Sequence, residues 1–134
     1  MQAGVDAFVV WDSKILLILR DNSTSIQNPN LWNLPGGGIE EGETEINALV
    51  RELKEEINLT IKNINYIDQT EYVDGNVVSK FWVKIDDFEK QQLKLGEGQK
   101  MNFFTLDAIL TLDIIPNLRS YIELNKENLL DIVK

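Results

Sequence analysis

Apolar positions along the chain alternate between short strand-like runs and one helical stripe. Ala7 to Arg20 reads as two strands joined by the turn Asp12-Ser13-Lys14. The run Ile15-Leu16-Leu17-Ile18-Leu19 is apolar on both faces, which predicts a strand inside a sheet covered on both sides. Residues 21–30 form a polar loop, and Leu31 to Gly38 is a short strand interrupted by Pro35 and the run Gly36-Gly37-Gly38. Ile46, Leu49, Val50, Leu53 and Ile57 then recur at helical spacing and predict a helix with a buried stripe. Thr44 is its expected N-cap and Asn58 its left-handed stop. Ile61–Val73 and Asn76–Ile85 read as strands joined by the hairpin signal Asp74-Gly75. Residues 86–100 are mostly polar, Met101–Phe104 is a further strand, and Thr105 caps a helical turn through Leu110. Pro116–Leu124 is a second true helix opened by proline, and residues 125–133 extend it or form a short third one. The order predicts an α/β chain: one mixed sheet with helices on both faces. No repeat, linker or low-complexity tract divides it, so residues 1–134 read as a single domain.

Composition narrows the class. Apolar residues are 43% and charged residues 26%, both globular values. No apolar run approaches the ~20 residues that span a bilayer. The N-terminal residues lack a basic start followed by an apolar stretch, so no secretory signal is expected. Cysteine is absent, which excludes disulfides and thiolate chemistry and fits a cytoplasmic location. Histidine is absent too, which excludes Ser-His and His-metal mechanisms. Any metal would therefore be held by oxygens, as Mg²⁺, Mn²⁺ or Ca²⁺ are. The net charge of −9, from 13 basic and 22 acidic residues, disfavours a nucleic-acid polymer or an anionic membrane as partner.

The acids cluster. Glu40, Glu41, Glu43, Glu45, Glu52, Glu55 and Glu56 are answered only by Arg51 and Lys54. At about 100° per residue, Glu52, Glu55 and Glu56 share one arc of the predicted helix, with Ala48 leaving space above them. Like charges at these spacings repel. A solvated acidic face and a cation-binding face both fit the arc. The glycines ahead of the helix add a second signal, because backbone without side chains at Gly36, Gly37 and Gly38 can approach a ligand closely.

Gly37, five residues, Glu43, seven residues, then Arg51-Glu52-Leu53-Lys54-Glu55-Glu56-Ile57-Asn58-Leu59 resembles the Nudix box, G-x5-E-x7-R-E-U-x-E-E-x-G-U. The one departure is Asn58 for the last glycine, a mild loss because Asn also adopts the left-handed helix stop. The lead-in Trp32-Asn33-Leu34-Pro35-Gly36 and the segment Phe103-Phe104-Thr105-Leu106 are similar to the family as well. The resemblance implies a Nudix fold, an α/β/α sandwich around a mixed sheet. It implies Mg²⁺- or Mn²⁺-dependent hydrolysis of a nucleotide-type small molecule. Carried over by position, Glu52, Glu55 and Glu56 would ligate the metal, Glu52 would also serve as general base, and Gly36 would offer its carbonyl. Arg51 would hold the glutamates, Glu43 would brace the loop, and Gly37 and Gly38 would face the substrate.

Substrate choice lies outside the box. Asp74-Gly75 stand where ADP-ribose enzymes tend to carry Pro, and Asn76-Val77 where dinucleoside polyphosphate enzymes tend to carry Tyr. Only Leu16-Leu17-Ile18-Leu19-Arg20 is similar to the coenzyme A subgroup. Three features resemble the MutT branch instead: the size, Glu97-Gly98-Gln99 with a Glu that can reach the metal, and Asn117 opening the last helix to read a purine edge. Arg20 is a candidate phosphate contact, with Asp21 standing where a second Arg often follows. Phe81, Trp82 and Val83 line either a base pocket or the core. The expectation is a pyrophosphohydrolase, monomer or homodimer, that cleaves a nucleoside triphosphate, including an oxidised purine deoxynucleotide, to monophosphate and pyrophosphate. The alternatives are a nucleotide-sugar or other diphosphate-linked substrate, or a Nudix-fold regulator without catalysis.

Overall fold

The computed structural model describes residues 3–134. Seven strands, β1 (Ala3–Trp11), β2 (Lys14–Leu19), β3 (Trp32–Asn33), β4 (Gly36–Gly38), β5 (Asn65–Glu71), β6 (Val77–Lys84) and β7 (Lys100–Phe104), form one mixed sheet. Its helices are α1 (Glu45–Ile57), α2 (Asp87–Gln92), α3 (Leu106–Ile109), α4 (Pro116–Leu124) and α5 (Lys126–Val133). The strand order is β3-β2-β1-β6-β5, with β4 added on β1 and β7 on β2. β1 runs parallel to β6 along Ala3 to Val10. Its other edge is divided: Val10 and Trp11 pair with β2, while Gly4 to Asp6 pair with the glycines of β4. The sheet therefore forks at β1, and the glycine strand is one prong.

Side chains alternate across the sheet and build two cores. Val5, Ala7, Val9, Leu16 and Ile18 pack under α1 with Leu49, Leu53 and Ile57. Phe8, Val10, Ile15 and Leu17 pack on the opposite face with Ile109, Leu118, Ile122 and Leu129 from α3 to α5. This is the α/β/α sandwich expected from the sequence. Phe81 and Val83 are both 2% exposed within the α1-side core, and Trp82 packs against the other, so these residues fill the core.

Three elements differ from expectation in extent or kind. β1 begins at Ala3, ahead of Ala7, because small or paired residues let its first half run between β4 and β6. β5 begins at Asn65 and not Ile61; residues 61–64 are irregular. The polar stretch 86–100 contains α2, which a capping box starts: Glu89 N–H donates to Asp86 Oδ1 at 2.8 Å and Asp86 N–H to Glu89 Oε1 at 3.2 Å.

α1 starts and stops where its sequence dictates. Thr44 Oγ1 accepts from Asn47 N–H at 3.1 Å, and Asn58 closes the helix at φ 57°. Its buried face is rotated from the expected stripe. Ile46 and Val50 are 43% and 38% exposed, whereas Ala48 is fully buried and opens no space above the glutamates. The helix rolls towards β4 because glycines present no side chains there, which brings the Glu52 and Glu56 flank onto the sheet.

Asn58 holds a strained conformation and also donates from Nδ2 to the Gln92 carbonyl at 3.1 Å. Asn58→Ala keeps the strain and loses the bond, so urea unfolding should show a loss of ~1–2 kcal/mol. Asn58→Gly loses the bond but relieves the strain, and should lie within ~0.5 kcal/mol of wild type. Equal losses in the two variants would show that the left-handed turn is not what Asn58 provides.

Candidate active site

Close backbone approach sets the geometry. Within the β1–β4 pair, Ala7 N–H donates to the Pro35 carbonyl at 3.1 Å and Ile39 N–H to Ala3 at 3.0 Å. Gly36 and Gly38, at the alternate positions, turn their backbone groups away from β1 and towards α1. Gly36 N–H donates to Glu56 Oε1 at 2.8 Å, and the Gly38 carbonyl accepts from Arg51 Nη2 at 3.0 Å. A Cβ at Gly36 would lie 2.2 Å from the Val5 carbonyl oxygen, and one at Gly37 would lie 2.6 Å from the Glu52 carboxylate. The glycines thus let a helix carboxylate rest on bare backbone.

Arg51 organises the acids around it. Its Nε and Nη2 donate to the two oxygens of Glu43 at 2.8 and 2.9 Å, a forked pairing. Nη1 donates to Glu52 Oε1 at 2.8 Å and lies 3.7 and 3.6 Å from Glu40 and Glu55. Arg51's hydrogen bonds, with that from Glu40 N–H, hold the Glu43 carboxyl down at about 2. Glu43 also ties the loop back to Glu40 N–H at 2.8 Å. It occupies the bracing position expected for it.

Glu56 is the opposite case. Burial pushes its carboxyl up to about 8, against the Gly36 N–H bond, and the charges of Glu52 and Glu97 push the same way. A loop brings Glu97 in: Gly96 N–H donates to the Glu56 carbonyl at 2.7 Å, and a Cβ at Gly96 would sit 2.1 Å from the Glu55 carbonyl oxygen. Glu56, Glu97, Gly98 and Arg20 line one small cavity. Gln99 Nε2 fixes the loop by donating to the Arg20 carbonyl and Asn30 Oδ1, both at 2.8 Å.

The structure brings Glu52, Glu56, Gly36, Gly37, Gly38, Arg51 and Glu97 together around the end of the glycine strand. Glu55 stays at the rim, its side chain 54% exposed. Among the described residues no three carboxylates converge on one point. The donors nevertheless suit a hard divalent cation: they are oxygens only, and Glu56 carries like-charge repulsion that a cation would relieve. Arg20 lies beside the site, but its guanidinium closes the 21–30 loop, with Nη2 donating to the Gln27 carbonyl at 2.9 Å. Asn117 stands across the sheet face, its Nδ2 donating to Asp74 Oδ2 at 3.2 Å. Sequence reasoning missed Asp6, which joins Arg20, Asn33 and Gly36–Gly38 in lining a second cavity. The signal was an acid inside an apolar strand.

The NUDIX domain model matches residues 1–124. The chain belongs to the Nudix family. It is similar to an ADP-ribose pyrophosphatase from Methanocaldococcus jannaschii, 37% identical over 113 residues that cover 79% of this chain and 63% of that protein. It also resembles an RNA pyrophosphohydrolase from Ruthia magnifica, 35% identical over 58% of this chain and 41% of that protein. The chain spans less than two-thirds of the length of these curated relatives. The fold superposes on the MutT protein from Methanosarcina mazei with TM-score 0.75 at 23% identity, covering 95% of this Nudix chain and 94% of that one. No described helix is long and apolar enough to cross a membrane.

Metal-free Glu56 gives a stability signature. The folded chain holds its proton more tightly than the unfolded chain, so the stability it contributes is present below pH ~4.5 and is lost as pH rises through about 8. Glu56→Gln is neutral throughout and can still accept from Gly36. In EDTA its unfolding free energy from urea titration should match wild type near pH 4 and exceed it near pH 9, by ~1–3 kcal/mol. Coincident curves at pH 9 would show that Glu56 carries no unfavourable charge.

Proposed function

We propose that this Nudix chain is a pyrophosphohydrolase that uses Mg²⁺, or Mn²⁺, to cleave a nucleoside triphosphate to monophosphate and pyrophosphate. The observation that carries the reading is the contact of Glu52 and Glu56 with the glycine strand, with Arg51 and Glu97 at its ends. Glu52, Glu56, Glu97 and the Gly36 carbonyl would hold the cation, with Glu55 completing the set from the rim. When bound, the cation would neutralise phosphate charge that the acidic cluster alone would repel.

The remaining work falls to the chain's own groups. Glu52 would take a proton from the attacking water, a task for a carboxylate in a sequence without histidine. Arg51 fixes the Glu52 carboxylate through a 2.8 Å bond and anchors itself on Glu43 and the Gly38 carbonyl, so the base is oriented before substrate arrives. Gly37 and Gly38 let a phosphate approach the backbone. Arg20 can meet the phosphates once it leaves the Gln27 carbonyl, and Asn117 retains an amide oxygen for a base edge. An oxidised purine deoxynucleotide is one member of this class. The partner is a small nucleotide and not a nucleic-acid polymer or membrane, the site of action is the cytoplasm, and a monomer or homodimer suffices.

A second reading, hydrolysis of a diphosphate-linked metabolite, is favoured by the similarity over 113 residues to the Methanocaldococcus ADP-ribose pyrophosphatase. A Mg²⁺-dependent release assay over nucleoside triphosphates, ADP-ribose, nucleotide sugars and dinucleoside polyphosphates separates the two. One preferred triphosphate that yields pyrophosphate is expected. Preference for ADP-ribose would favour the second reading, and no turnover would favour a regulator.

Two variants test the assigned roles. Glu56→Gln should lower kcat by roughly a hundredfold or more while the fold persists. Gly37→Ala puts a methyl against the Glu52 carboxylate, the free end of a flexible side chain. It should cost less than ~1 kcal/mol of stability yet lower kcat at least tenfold. Wild-type turnover in either variant would refute the role.

A further inference from the structure

We propose that Gln99 is a positioning residue for Arg20: its amide clamps the loop 21–30, which carries the partner of the Arg20 guanidinium, and so holds that cation off the glutamates and free for a phosphate chain. The inference rests on the nucleotide reading above and deepens it at the phosphate end.

The chain leaves the sheet after Leu19 of β2 and returns at Trp32 of β3. Two backbone bonds join the ends of the intervening loop: Arg20 N–H donates to the Leu31 carbonyl and Asn30 N–H to the Asp21 carbonyl, both at 3.0 Å. Gln99 adds a clamp from outside the loop. Its amide nitrogen has two hydrogens and uses both, on the Arg20 carbonyl and on Asn30 Oδ1, each at 2.8 Å. Those acceptors lie at opposite ends of the loop. Gln99 is itself fixed by its backbone N–H, which donates to the Leu19 carbonyl at 2.8 Å. Asn30 sits at φ 59°, a left-handed turn that asparagine tolerates.

The clamp bears on how Arg20 is paired. Arg20 lines the cavity of about 140 Å³ whose walls also include Glu56, Glu97, Asp21 and Ile26. Yet its guanidinium donates to a neutral group: Nε and Nη2 both meet the Gln27 carbonyl, at 3.2 and 2.9 Å. A carboxylate is the better partner for a guanidinium, since it adds an opposite charge and accepts from two donors at once. An unrestrained arginine beside two glutamates would settle on them. That ion pair would neutralise the positive charge a phosphate needs and cover the acids a cation needs. The loop offers Arg20 the Gln27 carbonyl instead, and it keeps that carbonyl in place while both of its ends are held.

Glu97 does not depend on this amide. Gly96 N–H on the Glu56 carbonyl and Gln99 N–H on the Leu19 carbonyl flank it, and both are backbone bonds that survive any side chain at position 99. Loss of the Gln99 amide therefore falls on the phosphate grip and spares the acids. Methionine matches glutamine in length and donates nothing, which makes it the discriminating substitution.

The test is a cycle of Gln99→Met, Arg20→Ala and the double variant, read by kcat and KM for ATP and GTP and by calorimetric binding of inorganic tripolyphosphate with Mg²⁺. Gln99→Met should raise KM about tenfold, leave kcat within about threefold and weaken tripolyphosphate binding by about tenfold. In the Arg20→Ala background the same substitution should change KM and binding by less than about twofold, because a residue that acts through Arg20 has nothing left to position. Asn30→Gly keeps the left-handed turn and removes one acceptor, and it should shift KM in the same direction if Gln99→Met melts early. An unchanged KM in both variants, a loss confined to kcat, or an equal loss with and without Arg20 overturns the proposal. If neither triphosphate is cleaved yet tripolyphosphate binding shows the Arg20-dependent loss, the hydrolase reading fails and the role of Gln99 stands. If triphosphates are cleaved and the two substitutions act independently, the reverse holds. A wild type that neither cleaves a triphosphate nor binds tripolyphosphate overturns both.

Discussion

The approach of helix α1 to the strand Gly36–Gly38 is the constraint on which the rest depends. Only hydrogen atoms fit between Gly37 and the Glu52 carboxylate, and between Gly36 and the backbone of β1. That closeness rolls the helix until Glu52 and Glu56 lie against the sheet. It also lets Gly36 N–H reach Glu56 and the Gly38 carbonyl reach Arg51. A side chain at Gly36 would collide with the backbone of β1, and one at Gly37 would push the Glu52 carboxylate from its place. Arg51 then neutralises the outer acids through its fork to Glu43, leaving the inner ones compressed. The raised carboxyl of Glu56 comes first from its burial and then from the charges of Glu52 and Glu97.

The same constraint shapes the far side of the sheet. Because β4 and β2 share one edge of β1, the sheet forks, and the cavity holding Asp6, Asn33 and Arg20 opens at the fork. The acids of α1 lie on one side of the glycine strand and a small polar cavity on the other. The loop carrying Glu97 closes the charged end, pinned by Gly96 on Glu56 and by Gln99 on Arg20 and Asn30.

Legibility varied with the range of the interaction. The α1 cap at Thr44, the left-handed stop at Asn58, the Asp74-Gly75 hairpin and the proline start of α4 follow from neighbours within a few residues. Local signals were present for α2 as well, in the Asp86 and Glu89 pair, but a polar composition hid them. Burial was less legible. Ile46 and Val50 have the right spacing for a core stripe yet face outward, and Ala48 is buried, because the roll of α1 is decided by its glycine partner.

By itself the sequence determined the family, through the spacing of Gly37, Glu43, Arg51, Glu52, Glu55 and Glu56, and the oxygen-only donor set, through the absence of His and Cys. Those are properties of order and composition. Only the tertiary structure decided that Glu52 and Glu56 lean on the glycines while Glu55 stays at the rim, and that Arg20 and Asn117 are held by Gln27 and Asp74. It alone disclosed Asp6, whose partner Lys80 lies 74 residues away in sequence. Such contacts depend on strand register and helix roll, which are fixed by packing over the whole domain and not by any local run of residues.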